Sequence, residues 1–493
     1  MARVLLVNPP SWNDAYRVVF GCVLPPLGLC SIAASLRINN HEVRILDLNS
    51  LADYYNRRDL SNYLRDVVKS FKPEYIGVSI IATSTAPTAY GIVREVKDID
   101  ESIVTIAGGH HATFMPIEVL MNGFDYVVKG EGELTFIELI NILESNRDPS
   151  NVRGIAYRRG GKYIETLRRG FVESLDELPL PARDLLDRKR YVLRAFGRDA
   201  TITTAETSRG CPYNCDFCSA SPMWGRRWRY KSVERIIHEL GQIKKEKWRH
   251  VFFVDDNFIT PVNIEERKRL FQEIIKERLD VEWICQLRTD IIVKNPDLIN
   301  LASKAGMKVA FIGVESGDEN VLKKIGKGII PSISEKAVEI LKNAGIVTLA
   351  GFVIGAPYET LKQAYRTLRF ALKLCKKGLD AAQFSIFTPL PGSRSFIEAI
   401  EKGLLATRNW ILYDCLHPVL TRNKISTYIF MRLAHYIFYM FKWIYGRASS
   451  RGTVESIIST ASSYLLRSLP RHVISFMKLP VDIAKILYHH KFP

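Results

Sequence analysis

The sequence is poor in cysteine, which accounts for only eight of its 493 residues. A secreted scaffold held together by disulfides would need more, and in a reducing compartment clustered cysteines are typical of metal-binding or catalytic sites. The opening stretch, MARVLLVNPPSW, lacks the long apolar run of a secretory signal peptide. We therefore expect a cytoplasmic protein whose clustered cysteines bind a metal or take part in catalysis.

Acidic residues are also scarce, since 52 Asp and Glu stand against 69 Lys and Arg and leave a net charge of +17. The excess is uneven, because residues 421–493 hold eleven basic residues and only two acids, Glu455 and Asp482. A basic segment of this kind can contact nucleic acid, anionic lipid or an acidic partner, or it can simply aid solubility. Charge alone leaves these alternatives open.

The chain lacks internal repeats and low-complexity tracts, and its length predicts two or three domains. Residues 1–145 alternate short apolar runs with helical patterns, which predicts a doubly wound, Rossmann-like α/β domain. Ligands of such sheets bind beyond the carboxyl ends of the strands. The predicted strands are RVLLVNPP, EVRILDLN, YIGVSIIATS, IVTIAGG and FDYVVKGEGE.

Residues 146–199 are predicted to form a connector, with a hairpin-like turn at RRGGKY and a proline-containing extended segment at ELPLPARDLL. Residues 200–405 alternate again, which predicts a (β/α)6 partial barrel. Chemistry in barrels belongs at the carboxyl ends of the strands, where Glu206, Asp255, Asp256, Asn257, Arg288 and Glu315 fall. The predicted strands are ATITTAETS, HVFFVDDN, VEWICQLRTD, MKVAFIGVES, IVTLAGFVIG and AAQFSIFTPL.

Residues 406–493 change character and are predicted to form a helical, aromatic and basic C-terminal region. Its most apolar stretch, residues 425–446, is interrupted by Arg432, His435 and Lys442, so it is not a clean membrane span. The spacing of these three residues puts them on one helical face. A broad apolar face opposite a narrow basic strip is typical of a helix lying in a membrane interface. The alternative is a helix buried in the protein with one wet edge.

The stretch RGCPYNCDFCSA places Cys211, Cys215 and Cys218 within eight residues. Structural zinc sites usually close with four protein ligands, often in paired Cys-x2-Cys spacings, and the nearest further cysteine is Cys285. Thiolates also bind iron–sulfur clusters. A [4Fe-4S] cluster held by three cysteines leaves one iron open to a small molecule.

The Cys-x3-Cys-x2-Cys spacing, the aromatic Phe217 and the preceding ETSRG resemble the radical S-adenosylmethionine (SAM) enzymes. The resemblance implies that the three cysteines are catalytic cluster ligands, that the open iron binds SAM, and that an external one-electron reductant of ferredoxin or flavodoxin type feeds the cluster. It also implies that SAM is cleaved to methionine and a 5′-deoxyadenosyl radical. LAGFVIGAPYET resembles the family's adenine-contacting segment, although Ala356 and Tyr358 depart from it. The SAM-binding residues implied are Phe217, Asp255, Asp256, Arg288, Glu315, Gly351 and Gly355.

The segments VNPP, PPLGLCSIAASL, SIIATST, AGGHHAT and VVKGEGE, placed before this core, resemble the cobalamin-binding domain of B12-dependent radical SAM enzymes. The methionine-synthase type of domain carries Asp-x-His-x-x-Gly, but the second predicted strand here ends in Asp47-Leu48-Asn49, without that cobalt-ligating histidine. For His110 and His111 a hydrogen bond to a phosphate or corrin amide is favoured over cobalt ligation. The cobalamin-binding residues implied are Asn8, Pro9, Ser79, Thr83, Gly108, Gly109, His110, His111, Gly130 and Glu131.

The resemblance implies an enzyme that attacks an unactivated carbon, by C-methylation or by C–C bond or ring formation. The basic aromatic C-terminal region favours a membrane lipid or isoprenoid as substrate and a peripheral contact with the cytoplasmic membrane face. The alternatives are an enzyme acting on RNA or on a soluble metabolite, and a non-catalytic iron–sulfur sensor. Nucleic acid is not expected as a partner, because the methylthiolating RNA branch has three cysteines before its core and this chain has only Cys22 and Cys30.

Overall fold

The computed structural model describes residues 1–11, 22–193, 200–225, 227–422 and 424–448. The part of the predicted C-terminal region that follows residue 448 lies outside these described residues. Short 3₁₀ turns occur at Thr83–Thr85, Pro149–Asn151, Leu175–Glu177, Arg183–Leu185, Arg188–Arg190 and Trp410–Leu412.

The first sheet contains β1 (Arg3–Asn8), β2 (Glu42–Asp47), β3 (Tyr75–Ser79), β4 (Val104–Gly108), β5 (Tyr126–Val128), β6 (Ile155–Arg159) and β7 (Lys162–Glu165). Its strand order is β2-β1-β3-β4-β5-β6-β7. The five predicted strands are confirmed as β1 to β5, which run parallel. The RRGGKY turn is confirmed as the turn of the antiparallel β6–β7 hairpin. Because this hairpin extends the sheet, the first domain continues past the predicted boundary at residue 145.

Helices cover both faces of this sheet, because strand residues alternate between two cores. Val4 and Leu6 pack with α1 (Leu27–Ile38) and α7 (Gly132–Glu144), whereas Leu5 and Val7 pack with α3 (Arg57–Phe71) and α4 (Ala86–Ile99). A capping box at Asn56 starts α3 and precedes an apolar stripe that faces the sheet. The helices are α1 (Leu27–Ile38), α2 (Leu48–Leu51), α3 (Arg57–Phe71), α4 (Ala86–Ile99), α5 (His110–Phe114), α6 (Pro116–Met121) and α7 (Gly132–Glu144).

The second sheet contains β8 (Ile202–Ala205), β11 (His250–Phe253), β12 (Glu282–Leu287), β13 (Met307–Glu315), β14 (Val347–Ile354) and β15 (Ala381–Ile386), in that order across the sheet. All six predicted strands are confirmed, and all pair in parallel as an open partial barrel. A separate antiparallel pair, β9 (Ser208–Arg209) and β10 (Arg229–Tyr230), flanks the cysteines. All carboxyl ends of the six barrel strands therefore meet at one mouth.

Helices alternate with these strands and enclose the largest core. They are α8 (Ala220–Met223), α9 (Val233–Lys245), α10 (Ile264–Lys276), α11 (Thr289–Lys294), α12 (Pro296–Lys304), α13 (Glu319–Lys324), α14 (Pro331–Asn343), α15 (Leu361–Lys377) and α16 (Arg394–Glu401). The chain then crosses back to the first domain, where Phe396, Trp410, Tyr413 and Val419 join its core.

The long helix α17 (Lys424–Ala448) covers β15, one of the two edge strands of the barrel. His435 Nε2 accepts from the Phe384 amide at 3.1 Å, and Lys442 donates to the carbonyl of Leu379 at 2.9 Å. The predicted orientation is therefore wrong for these two residues of the basic strip, which face the barrel because the edge strand offers unpaired backbone groups. The outward face is apolar and aromatic; it comprises Leu433, Tyr436, Met440, Trp443 and Ile444, each 39–58% exposed.

Among the described residues, no helix combines the length and the apolar character that crossing a membrane requires.

Candidate active site

The three cysteines lie on one loop that follows β9. Gly210 has a φ of +100°, and a Cβ there would overlap the carbonyl oxygen of Arg227, so only glycine fits before the first cysteine. Farther along, the amide of Asp216 donates to the carbonyl of Ile325 at 3.1 Å, and its own carbonyl accepts from the Ser395 amide at 3.0 Å. The surrounding barrel thus fixes the path of the loop.

None of the three thiols is in a disulfide, and Cys211 is the most buried. Burial raises the pKa of each, for Cys218 to about 12, and Cys215 and Cys211 add to that shift by their charge. The described residues include no group of three His, Cys, Asp or Glu side chains that could hold a single metal ion. Three thiolates on one loop are a donor set that an iron–sulfur cluster takes, and the positive irons of a bound cluster would keep the thiolates deprotonated.

Side chains from the barrel also touch this loop. Asn257 Nδ2 donates to the sulfur of Cys211 at 3.5 Å. The ring of Phe217 meets that of Phe387, at the end of β15, with 6.4 Å between centroids. The loop is therefore bounded by a polar contact on one side and an aromatic contact on the other.

Asp255, predicted to bind SAM, holds the segment that leads into the cysteine loop. Its carboxylate accepts from the amide of Thr207 at 3.0 Å and from the hydroxyls of Thr207 and Ser208 at 2.5 Å. Arg267 lies 3.7 Å away. This geometry differs from the predicted SAM contact, because these bonds occupy the carboxylate within the protein. The neighbouring Asp256 is partly exposed, and burial together with the charge of Asp255 raises its pKa to about 6.

Arg288 and Glu315, from the ends of neighbouring strands, meet through Lys327. Lys327 Nζ donates to Glu315 Oε1 at 2.8 Å, and Arg288 donates to the carbonyl of Lys327 at 2.9 Å. The Arg288 guanidinium also lies 3.7 Å from the ring centroid of Tyr213 in the cysteine loop. Glu315 sits at a β-bulge with a φ of +63°, a conformation that concentrates at functional sites. Lys327 is not among the predicted site residues; the glycine on either side of it is the available signal in the sequence.

The end of β14 presents mainly backbone to the mouth of the barrel. Gly355 has a φ of +88°, and a Cβ there would lie 2.5 Å from the Cγ2 of Thr427 at the start of α17. A Cβ at Gly351 would lie 3.1 Å from the ring of Phe311. The Gly355 amide donates to Glu359 Oε2 at 2.5 Å, while the buried Oε1 has no partner among the described residues. Burial raises the pKa of Glu359 to about 7.

Small residues and exposed backbone lie at the carboxyl ends of β3 and β4. Gly109 has a φ of +99°, and a Cβ there would lie 2.8 Å from the carbonyl of Ile80, so the two loops pack closely only with glycine. A Cβ at Gly108 would meet nothing closer than 3.9 Å. Ser79 is half-buried and Thr83 is buried beside them. At Gly108 the backbone could therefore be approached closely by a ligand, as the predicted contact with the nucleotide tail of cobalamin requires.

The end of β1 is tied to the next strand and to the connector. Asn8 Nδ2 donates to Asp47 Oδ1 at 2.8 Å, and the hydroxyl of Tyr191 donates to the other carboxylate oxygen at 2.6 Å. Pro9 is buried and follows directly. The predicted cobalamin contact of Asn8 would therefore share this side chain with Asp47.

The two histidines after β4 point in different directions. His111 is buried, with Thr83 Oγ1 3.4 Å from its Nδ1 and the Tyr90 hydroxyl 3.2 Å from its Nε2. Both ring nitrogens are thus occupied within the protein, which differs from the predicted contact to a cofactor. His110 is half-buried and faces Trp224 beyond the cysteine loop, 6.3 Å between ring centroids. Burial lowers the pKa of each histidine to about 4, so both are neutral at pH 7.

Glu131, predicted to bind cobalamin, lies with the adjoining Gly130 where the two domains meet. Arg209 pairs with Glu131 at 2.8 Å, with Glu133 at 2.6 Å and with Glu206 at 2.7 Å. The carboxylates of Glu131 and Glu133 are therefore already paired with an arginine from the barrel domain. We call the whole group, whose side chains are at most 14% exposed, the interdomain ion network; it comprises Glu131, Glu133, Glu206, Glu239, Arg183, Arg209, Arg229 and Lys231.

A parallel partial barrel with three cysteines on one loop at its mouth, joined to a doubly wound domain with glycines at its strand ends, defines a radical SAM enzyme with a cobalamin-binding domain. Family models agree, since residues 14–140 match the B12 binding domain and residues 205–371 match the Radical SAM superfamily. The chain belongs to this family of cobalamin-dependent radical SAM enzymes. Its cofactors are a [4Fe-4S] cluster, SAM and cobalamin.

Among its relatives is an uncharacterized methyltransferase of Pyrococcus horikoshii, 36% identical over 447 residues, which are 89% of this chain and 92% of that protein. The hopanoid C-3 methylase of Methylococcus capsulatus is 29% identical, over 92% of this chain and 83% of that protein. The radical SAM methyltransferase TsrM of Kitasatospora setae has the same fold, with a TM-score of 0.66 at 19% identity, over 82% of this chain and 78% of that one.

Proposed function

We propose that this enzyme modifies an unactivated carbon of a membrane lipid or isoprenoid, by C-methylation or by C–C bond formation. The observation that carries the proposal is the outward face of α17, whose exposed aromatic and aliphatic side chains lie on the helix that packs on the barrel edge. Tyr and Trp are enriched where protein meets the membrane–water interface. The hopanoid methylase among the relatives is consistent with a lipid substrate.

The residues of this chain provide binding, orientation and shielding. Cys211, Cys215 and Cys218 would hold the cluster, while Glu315 and Lys327 offer an acceptor and a donor to the polar groups of SAM. When bound, the cofactors supply hydrogen-atom abstraction and methyl transfer, and the protein supplies their placement. The backbone at the end of β14, closed by α17, would exclude water from that space.

We further propose that the outward face of α17 rests on the cytoplasmic membrane surface as a peripheral contact. Binding to vesicles of anionic lipid should weaken when Tyr436 and Trp443 are changed to Ser, because buried aromatic area drives interfacial binding. The matched control is Tyr365→Ser on α15, whose side chain is 53% exposed. If the variant with Tyr436→Ser and Trp443→Ser binds vesicles as tightly as the Tyr365→Ser control, the proposed membrane contact is refuted.

Lipid analysis of a strain lacking the gene tests the substrate class. Loss of one methylated or ring-bearing lipid is expected, with its precursor accumulating, and the wild-type gene but not a Cys218→Ala variant should restore it. An unchanged lipid profile together with a changed soluble metabolite or RNA modification would refute the lipid assignment.

A further inference from the structure

An exposed patch of arginine and aromatic side chains lies next to the start of the cysteine loop. The carbonyl of Arg227 packs against Gly210, the residue that precedes Cys211. The amide of Arg227 donates to the carbonyl of Trp224 at 3.1 Å, which keeps this turn compact. The backbone of the patch is therefore in contact with the base of the cluster-binding loop.

The exposed side chains of this patch are basic or aromatic. Arg227 is 58% exposed and Tyr230 is 48% exposed, and Tyr230 stacks on Trp228 at 4.9 Å. From the segment after β7, the exposed Arg168 lies 5.0 Å over the ring of Phe171, which packs on Trp224 in the turn of Arg227 with 6.5 Å between ring centroids. We call Arg168, Phe171, Arg227, Trp228 and Tyr230 the arginine–aromatic patch. Arginine and aromatic side chains are enriched in the cores of protein interfaces.

The charge of the patch is only partly balanced. Glu173, which is 81% exposed, lies 3.7 Å from Arg227, a distance at which an exposed pair contributes little. Arg168 makes no ion pair with another residue of the described chain. The buried Arg229 beneath the patch is paired with Glu131. An incoming surface that carries carboxylates would therefore meet two accessible guanidinium groups.

We propose that the arginine–aromatic patch docks an acidic one-electron carrier protein of flavodoxin or ferredoxin type. One electron passes from the reduced carrier, which is oxidised by one electron, to the cluster, whose net charge falls by one unit. Electrostatic complementarity speeds such short-lived encounters, and contact of the patch with Gly210 gives the electron a short path. The proposal depends on the radical SAM class and is independent of the lipid substrate.

Charge reversal in the patch tests docking of the carrier separately from cleavage of SAM. We compare wild type with the double variant Arg168→Glu/Arg227→Glu and with the control Lys362→Glu/Arg369→Glu, which changes charge equally on exposed positions of α15. Titration with reduced flavodoxin and reduced ferredoxin gives Kd, for the enzyme with and without its cluster. Formation of 5′-deoxyadenosine is measured with the protein reductant and with dithionite, a small reductant that needs no docking site.

The patch variant should bind the carrier at least about tenfold more weakly, with the dithionite-driven rate within about twofold of wild type. Wild-type binding should weaken between about 50 and 300 mM salt, and the control should match wild type. If charge reversal damages the loop, Tyr230→Ser serves instead, with a smaller loss in carrier affinity alone. Unchanged carrier affinity in both the charge-reversal patch variant and Tyr230→Ser overturns the proposal.

Discussion

Replacement of Arg209 by Met tests whether the interdomain ion network fixes the cysteine loop against the cobalamin-binding domain. Arg209 stands two residues before Cys211, and its guanidinium contacts three carboxylates, two of them on the first domain. A methionine keeps much of the side-chain volume and removes the charge. The change therefore isolates the electrostatic part of the contact.

The magnitude follows from which carboxylates lose their partner. Glu131 keeps Arg229 at 2.9 Å, and Glu206 keeps Lys231 at 3.9 Å, whereas Glu133 has no other ion pair among the described residues. Breaking a buried pair from one side costs about 3–5 kcal/mol. Most of that cost should fall on the uncompensated Glu133.

Native-state hydrogen exchange measures the free energy of local opening, so it does not require that the two domains unfold together. Amides at the start of α7 and in β9 should exchange at least about a hundredfold faster in Arg209→Met. The double variant Arg209→Met/Glu133→Met should regain part of the protection, because both charges are then absent. The control is Arg159→Met, an exposed pair with Asp148. Less than about threefold faster exchange, or no recovery in the double variant, would refute the reasoning.

Two more outcomes follow from the site. Alanine at any of Cys211, Cys215 or Cys218 should abolish the cluster absorbance and 5′-deoxyadenosine formation; a variant that keeps both would contradict the ligand assignment. Glu359 has a pKa of about 7 when folded against 4.5 ordinarily, so its ionisation opposes folding, and stability should fall as pH rises through that window. Glu359→Gln should flatten the dependence of Tm on pH between about 5 and 8, and an unchanged slope would argue against this origin.

The strands were predictable because each is a short apolar run next to a helical pattern, and this signal is local. The residues at the strand ends followed, since parallel strands bring their carboxyl ends to one edge. Arg288 and Glu315 meet in the structure for this reason, although they are 27 positions apart in sequence.

Side-chain partners between elements could not be read from spacing. Glu131 lies in a glycine-rich loop typical of ligand binding, yet its carboxylate faces arginines that come from the other domain. Lys327 lies on a turn between helices, where no periodic pattern marks it. The strip of α17 that contains His435 is predicted to be the wet side of the helix, whether the helix lies in a membrane interface or is buried in the protein, because the sequence does not reveal that an edge strand needs partners for its backbone groups.

The packing of α17 on β15 also determines which truncated forms of the protein should stay free of aggregation. The last strand of an open parallel sheet is a template for pairing with other chains, and covering it prevents aggregation. His435 and Tyr439 cover it by bonding its backbone groups, and Lys442 bonds the carbonyl of Leu379 just before it. A truncation before residue 424 would expose that strand. Chains lacking the helix should therefore aggregate, even when their catalytic residues are intact. Point substitutions on the outward face of α17 keep the strand covered, so they test the role of that face better than truncation does.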